Sequence, residues 1–193
     1  MKKSTITVLA VVGVLVLLVV IAFGWGIGTY NSLVSTQENV DKYASDIQAD
    51  LQRRSDLIPN LVETVKGYAS QEKEIFTDIA DARSKLAGAT NMQESAQADS
   101  ELSSALSRLL LIVENYPELK SNENFIALQD QLEGTENRIK VARTKYNEAA
   151  QEYNTKIKRF PSSMIASMFG FDKADYFQAS EGAQDVPSVD FGA

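Results

Sequence analysis

Cysteine and histidine are both absent from the chain. Without them there is no disulfide, thiol nucleophile, Cys/His zinc site, axial haem His or Ser-His-Asp triad. Most familiar catalytic chemistry is closed off, and no residue is nominated as catalytic, metal-ligating or cofactor-binding. The Glu-rich helix faces read as solvated surface, because nothing sets two carboxylates across a cleft as acid and base. Proline is scarce, at positions 59, 117, 161 and 187 only, so helices can run long. A basic face is missing too: 19 Lys and Arg against 26 Asp and Glu leave a net charge of −7, which argues against a nucleic-acid partner. Strand-like alternation and internal repeats are not detected.

Charge is also missing from a long N-terminal stretch, with none between Lys3 and Glu38. Within it, Ile6 to Ile27 reads ITVLAVVGVLVLLVVIAFGWGI. At about 1.5 Å per residue this run covers roughly 33 Å, enough to cross a hydrocarbon core of about 30 Å. Trp25 and Tyr30 sit at its end, where interfacial aromatics gather. The expectation is a membrane-spanning helix over residues 6–28 behind a short segment 1–5. A cleaved signal peptide, ending near Ala22-Phe23-Gly24, is the alternative, but the apolar run exceeds the usual h-region. Lys2 and Lys3 precede the span, and Lys42 is the first base after it. By the positive-inside rule the N-terminus is cytoplasmic and the bulk extracytoplasmic, in a bacterial inner membrane, with a cytoplasmic bundle as the alternative. Gly24, Gly26 and Gly28 include one G-x-x-x-G, from Gly24 to Gly28, which reads either as a helix-dimerisation face of a homo-oligomer or as small residues tolerated at the membrane interface.

Beyond the span, apolar residues recur at alternating three- and four-residue steps. One set is Leu33, Gln37, Val40, Ala44, Ile47, Leu51, Arg54 and Ile58, ending at Pro59. The next is Leu61, Val65, Tyr68, Glu72, Ile75, Ile79, Ala82 and Leu86. A third runs Leu102, Leu106, Leu109, Val113 and Tyr116, and a fourth from Phe125 through Leu132, Thr135, Ile139 and Tyr146 to Tyr153. This is the seam spacing of bundles and coiled coils. Asn60 with Glu63 has capping-box spacing, Gly88 to Asn91 and Tyr116-Pro117 to Asn122 read as turns, and Ser121 or Asn122 can cap the fourth helix. The expected architecture is all-α: the span continuous with the first helix of an antiparallel up-and-down four-helix bundle over residues 29–160. Its helices fall at about 29–58, 60–87, 93–116 and 122–159. An apolar appendix over 161–177 and a disordered acidic tail over 178–193, with a candidate docking stretch from Val186 to Phe191, complete the chain.

Several stretches resemble the LemA family of bacterial membrane proteins. They include Tyr30-Asn31-Ser32-Leu33-Val34, Leu51-Gln52-Arg53-Arg54-Ser55-Asp56-Leu57-Ile58-Pro59-Asn60-Leu61-Val62, and Val65-Lys66-Gly67-Tyr68. Towards the C-terminus are Tyr116-Pro117-Glu118-Leu119-Lys120, Glu136-Asn137-Arg138-Ile139, Tyr146-Asn147, Tyr153-Asn154, Phe160-Pro161, Phe169-Gly170-Phe171 and Tyr176-Phe177. The likeness covers nearly the whole chain in order. It implies a four-helix antiparallel bundle behind a single span, and no particular reaction. It also implies a short N-terminus outside the cell, opposite to the charge argument.

Three polar residues, Gln37, Arg54 and Glu72, fall where a seam wants apolar side chains. They read either as register-fixing polar positions or as the lining of a ligand or partner pocket near the Arg53-Arg54-Ser55-Asp56 stretch. Lys156, Lys158 and Arg159 precede an apolar run with Phe160, Met164, Ile165, Met168 and Phe169. That run either rests on the bilayer surface with the bases at headgroups or folds back over the end of the bundle. The expected function is a non-enzymatic membrane-anchored interaction or scaffolding module of the cell envelope, with the lipid bilayer and unidentified proteins as partners. A signalling or stress sensor is the first alternative, disfavoured because only residues 1–5 precede the span. The second is a small-ligand binder or enzyme using the bundle core.

Overall fold

The computed structural model describes residues 3–178, with side chains from Val8 onward. Of the tail expected to be disordered over 178–193 only Gln178 is described; the rest, with its Val186 to Phe191 stretch, lies outside the described residues. Those residues contain no strand. They form α1 (Lys3–Lys66), α2 (Lys73–Gly88), α3 (Met92–Val113), a single turn α4 (Pro117–Lys120), α5 (Glu123–Lys158) and α6 (Ser162–Phe169). The chain is thus an all-α helical bundle with a long apolar N-terminal helix. It divides into two compact units, Met1–Asp41 with Ala149–Ala174 and Lys42–Glu148 with Asp175–Ala193.

The second unit holds the bundle. Its core draws Ile58, Leu61 and Val65 from α1, Ile75, Ile79 and Ala82 from α2, Leu102, Ala105, Leu106, Leu109 and Val113 from α3, and Phe125 from α5. These are largely the seam positions the spacing picks out, and burying them is what holds the helices together. Antiparallel order is visible in the ion pairs. Asp78 and Lys85 ascend α2 while their partners Arg108 and Glu101 descend α3. Likewise Asp50 and Arg54 of α1 meet Arg138 and Glu136 of α5. Asn91 caps α3 by accepting from the Glu94 N–H at 2.8 Å, and the Glu94 carboxylate accepts from the Thr90 N–H in return. That hydrogen bond holds the Glu94 carboxyl below its ordinary value. Asn122 caps α5 through the Phe125 N–H.

One boundary differs from the expectation. Pro59 does not end the first helix; α1 continues through it to Lys66. The expected second helix at 60–87 is therefore divided: its first two turns belong to α1, a turn at 67–72 follows, and α2 begins at Lys73. The Asn60–Glu63 capping box is not formed, since Asn60 gives its carbonyl to the Thr64 hydroxyl and Glu63 pairs with Lys66. A helical proline lacks the N–H that should serve the carbonyl four residues earlier. Here that carbonyl is Ser55 O, and Arg83 of α2 donates its Nε–H to it at 3.1 Å and to Ser55 Oγ at 3.1 Å. The orphaned acceptor is satisfied from the neighbouring helix, and the chain turns only at Gly67.

The first unit contains the apolar part of α1, the end of α5 and α6. Side chains from Val8 to Ile27 are largely exposed, as a lipid-facing helix requires. Gly26 faces Ile165 of α6, with its Cβ position 3.9 Å from Ile165 Cδ1. The Tyr30 ring lies 4.8 Å from that of Phe169 and 5.7 Å from that of Phe171. Gly170 ends α6 with φ +73°, which favours glycine, and Phe171 N–H returns to the Ala166 carbonyl.

The Pro59–Arg83 arrangement predicts a non-additive pair. Arg83→Ala should lower unfolding stability in urea by about 1–3 kcal/mol, the cost of an unsatisfied buried acceptor. In a Pro59→Ala background, which restores the missing donor, that loss should shrink by about half or more. Equal losses in both backgrounds would disprove the compensation.

Candidate functional site

The bundle interior carries one cluster of charge. Arg54 of α1, 5% exposed, donates from Nη1 to Asp99 Oδ1 of α3 at 2.6 Å and lies 2.8 Å from Glu136 Oε2 of α5. Three helices are thus joined at one guanidinium. Asp99 is 3% exposed, whereas the Glu136 side chain is about half exposed and carries the cluster to the surface. Arg54 Nε is buried without a hydrogen-bond partner. Burial raises the Asp99 carboxyl above its ordinary value; Arg54 opposes the shift and Glu136 adds to it.

This cluster borders a cavity of about 310 Å³ that opens to the surface. Leu61, Leu106, Leu110 and Leu132 make its apolar wall, with Ser103, Ser107, Gln129, Glu133 and Glu136 on its polar side. Arg54 also contributes to the lining. The site combines an aliphatic slot, hydroxyl and amide groups, and an excess of carboxylate. That chemistry suits an apolar group next to a cation or hydrogen-bond donor. Among the described residues, no group of three or more Asp and Glu comes together to hold a metal ion.

The other two polar seam candidates are not part of this site. Gln37 is exposed, and Thr36 occupies the buried stripe instead. The substitution has a physical reason: the Thr36 hydroxyl bonds the Ser32 and Leu33 carbonyls of its own helix, both at 3.0 Å, whereas a buried glutamine needs outside partners. Glu72 is half-buried, stands immediately before α2 and makes no side-chain capping bond. Gly24 and Gly28 both face open space. At the end of α5, Lys156 pairs with Glu152 at 3.3 Å, and Lys158 and Arg159 are exposed. Phe160, Met164, Met168 and Phe169 are all more than half exposed, while Ile165 turns toward α1.

Sequence reasoning missed two asparagine clamps. Asn147 accepts from the Phe177 N–H at 2.9 Å and donates to the Phe177 carbonyl at 3.0 Å. Tyr146 Oη donates to Asp175 O at 2.7 Å, and the Arg143 guanidinium lies 4.5 Å from the buried Phe177 ring. In the other unit, Asn154 brackets Ala174 in the same way, at 2.9 and 2.8 Å. Burial raises the neighbouring Tyr153 hydroxyl, with Asp172 and Asp41 adding to the shift. The available signal was the Tyr-Asn dipeptide repeated seven residues apart, at 146–147 and 153–154.

Comparison with known proteins gives this frame an identity. The model of the LemA family matches residues 43–191, which reaches all four bundle helices. The chain belongs to the LemA family. Magnetosome protein MamQ 2 of Paramagnetospirillum magneticum is 30% identical over 186 residues, covering 83% of this chain and 68% of that relative. Protein LemA of Metamycoplasma hominis is 27% identical over 156 residues, covering 80% of this chain and 71% of that relative. Among its described residues this LemA-type chain also has one helix long and apolar enough to cross a membrane, so it is a membrane-associated helical protein.

The buried cluster sets a stability test. Asp99→Leu leaves Arg54 buried with only the partly exposed Glu136, and should cost about 3–5 kcal/mol. Joint Arg54→Met and Asp99→Leu should recover most of that loss. Because the folded Asp99 value is raised, its contribution to stability is fullest at low pH and is lost as pH rises from about 4 through that value. Urea midpoints measured across that range should show this decline in the parent and a flatter profile in Asp99→Asn. An identical slope in both would exclude Asp99 as its source.

Proposed function

We propose that this chain is a non-enzymatic interaction module anchored in a bacterial inner membrane, with its bundle extracytoplasmic, as the lysines before the span imply. The groove beside Arg54 receives an amphipathic helix of a partner protein. The observation that carries this reading is the lining: four leucines flanked by Glu133 and Glu136. A partner helix with an apolar stripe and flanking Lys or Arg is complementary to both parts. Exposed Leu110 and Leu111 extend the apolar surface along α3. The names of the relatives, magnetosome proteins and LemA, are not those of enzymes, which supports a role without chemistry.

A small-ligand reading has one observation in its favour, since a cavity of about 310 Å³ also accommodates a compact amphiphile. Site-specific photo-crosslinking in intact membranes separates the two. A crosslinker at Leu110 should capture an envelope protein through an apolar and basic helical segment, and Leu132→Glu should abolish capture. The same group at Ala87, exposed on α2, should capture nothing comparable. Equal capture from both positions, or none from Leu110, rejects the partner-helix reading.

A further inference from the structure

The corner where α5 meets α6 combines features that packing alone does not require. A cleft of about 410 Å³ lies between α1 and this corner, with Lys156 and Arg159 on one wall and Trp25, Gly28 and Ser32 on the other. Among the described residues the three bases of this corner, Lys156, Lys158 and Arg159, have one ion-pair partner, Glu152 on Lys156. Among the described residues neither Lys158 nor Arg159 has a carboxylate partner. Space is left open at Gly28, so the α1 backbone is bare at the cleft.

Depth gives this charge a meaning. The apolar run ends at Ile27, and Gly28 to Ser32 lies within roughly 2–8 Å of it along the helix axis. That is the headgroup layer of a bilayer spanned by α1, and Trp25 stands at its boundary. On a neighbouring face of α1, a second groove of about 520 Å³ runs between the span and α6. Its walls include Val19, Phe23, Ile27, Ile165 and Met168, and it is almost wholly apolar. A free phosphate would satisfy the bases and leave this groove unused.

We propose that this corner binds an anionic phospholipid, whose phosphate is held by Lys156 and Arg159 and whose acyl chain lies in the groove between α6 and the span. Lys158, exposed beside them, adds to the attraction, while the exposed Phe160, Met164 and Met168 insert among neighbouring chains. The site rests on α1 spanning the bilayer and is independent of any partner in the bundle groove.

The test uses the full chain purified in detergent, with native mass spectrometry after adding phosphatidylglycerol or phosphatidylcholine. Phosphatidylglycerol should be retained at least about tenfold more strongly. A base at a lipid surface contributes about fivefold, so Lys156→Gln with Arg159→Gln should weaken retention by about 30-fold. Lys140→Gln with Lys145→Gln, on exposed bundle positions, should leave it unchanged. Equal retention of the two lipids by the parent chain overturns the proposal whether or not the variants fold. So does unaltered retention by a helical Lys156→Gln/Arg159→Gln variant. Displacement of the lipid by millimolar inorganic phosphate alone also overturns it, because the site would then be one for soluble anions.

Discussion

Burial of a single apolar stripe along α1 is the constraint to which the bundle answers. Ile47, Leu51, Ile58, Leu61 and Val65 are all 5% exposed or less, and the seams of α2, α3 and α5 exist to cover such surface. A helix with so wide an apolar face is not stable alone in water, and three further helices are enough to enclose it. The stripe also explains why α1 must remain helical through Pro59. Ending it there would withdraw Leu61 and Val65 from the core, at a loss of roughly 1.5–3 kcal/mol for each side chain. Serving one carbonyl from Arg83 is the smaller adjustment.

The same constraint makes the charged cluster informative. Arg54, Asp99 and Glu136 occupy space that leucine would fill at less electrostatic cost. What they add is directional: one guanidinium touches carboxylates from two other helices at 2.6 and 2.8 Å. A seam of leucines and isoleucines accepts slips of one turn with little penalty. The charged contact ties α1, α3 and α5 together at one point, beside the apolar groove that Arg54 and Glu136 help to line.

Helix identity and the buried stripe were legible because spacing reports them directly. Leu102, Leu106, Leu109 and Val113 are buried as their periodicity demands, and Asn122 caps α5 as a turn residue before a helix should. Arg54 stood out for the same reason, as a charge where the period required a hydrocarbon. Its partners did not: Asp99 lies among the small residues Ser95, Ala96 and Ala98, and Glu136 among ordinary surface acids. Which acid meets an arginine is set by three-dimensional register. Pro59 misled because a breaker is read locally, while its repair comes from Arg83, 28 residues beyond the Ser55 carbonyl it serves. Thr36 displaced Gln37 because both satisfy the spacing and only hydrogen bonding distinguishes them. The bases at the end of α5 were visible as a run of charge; the cleft they share with Trp25 was not, because it is formed by residues more than 120 positions apart in sequence.

The asparagine clamp at Phe177 recognises backbone alone, one N–H and one carbonyl, as a strand edge would. Such recognition does not depend on the side chain at 177, which contributes through its own burial and the Arg143 contact. The pairing and the packing are therefore separable, and the segment resembles a one-residue β-bridge formed with a side chain instead of a strand. A helical bundle has in this way acquired a means of holding non-helical chain. Two backbone hydrogen bonds and one buried ring thus tie the end of the described chain to the middle of α5, 30 residues earlier in sequence.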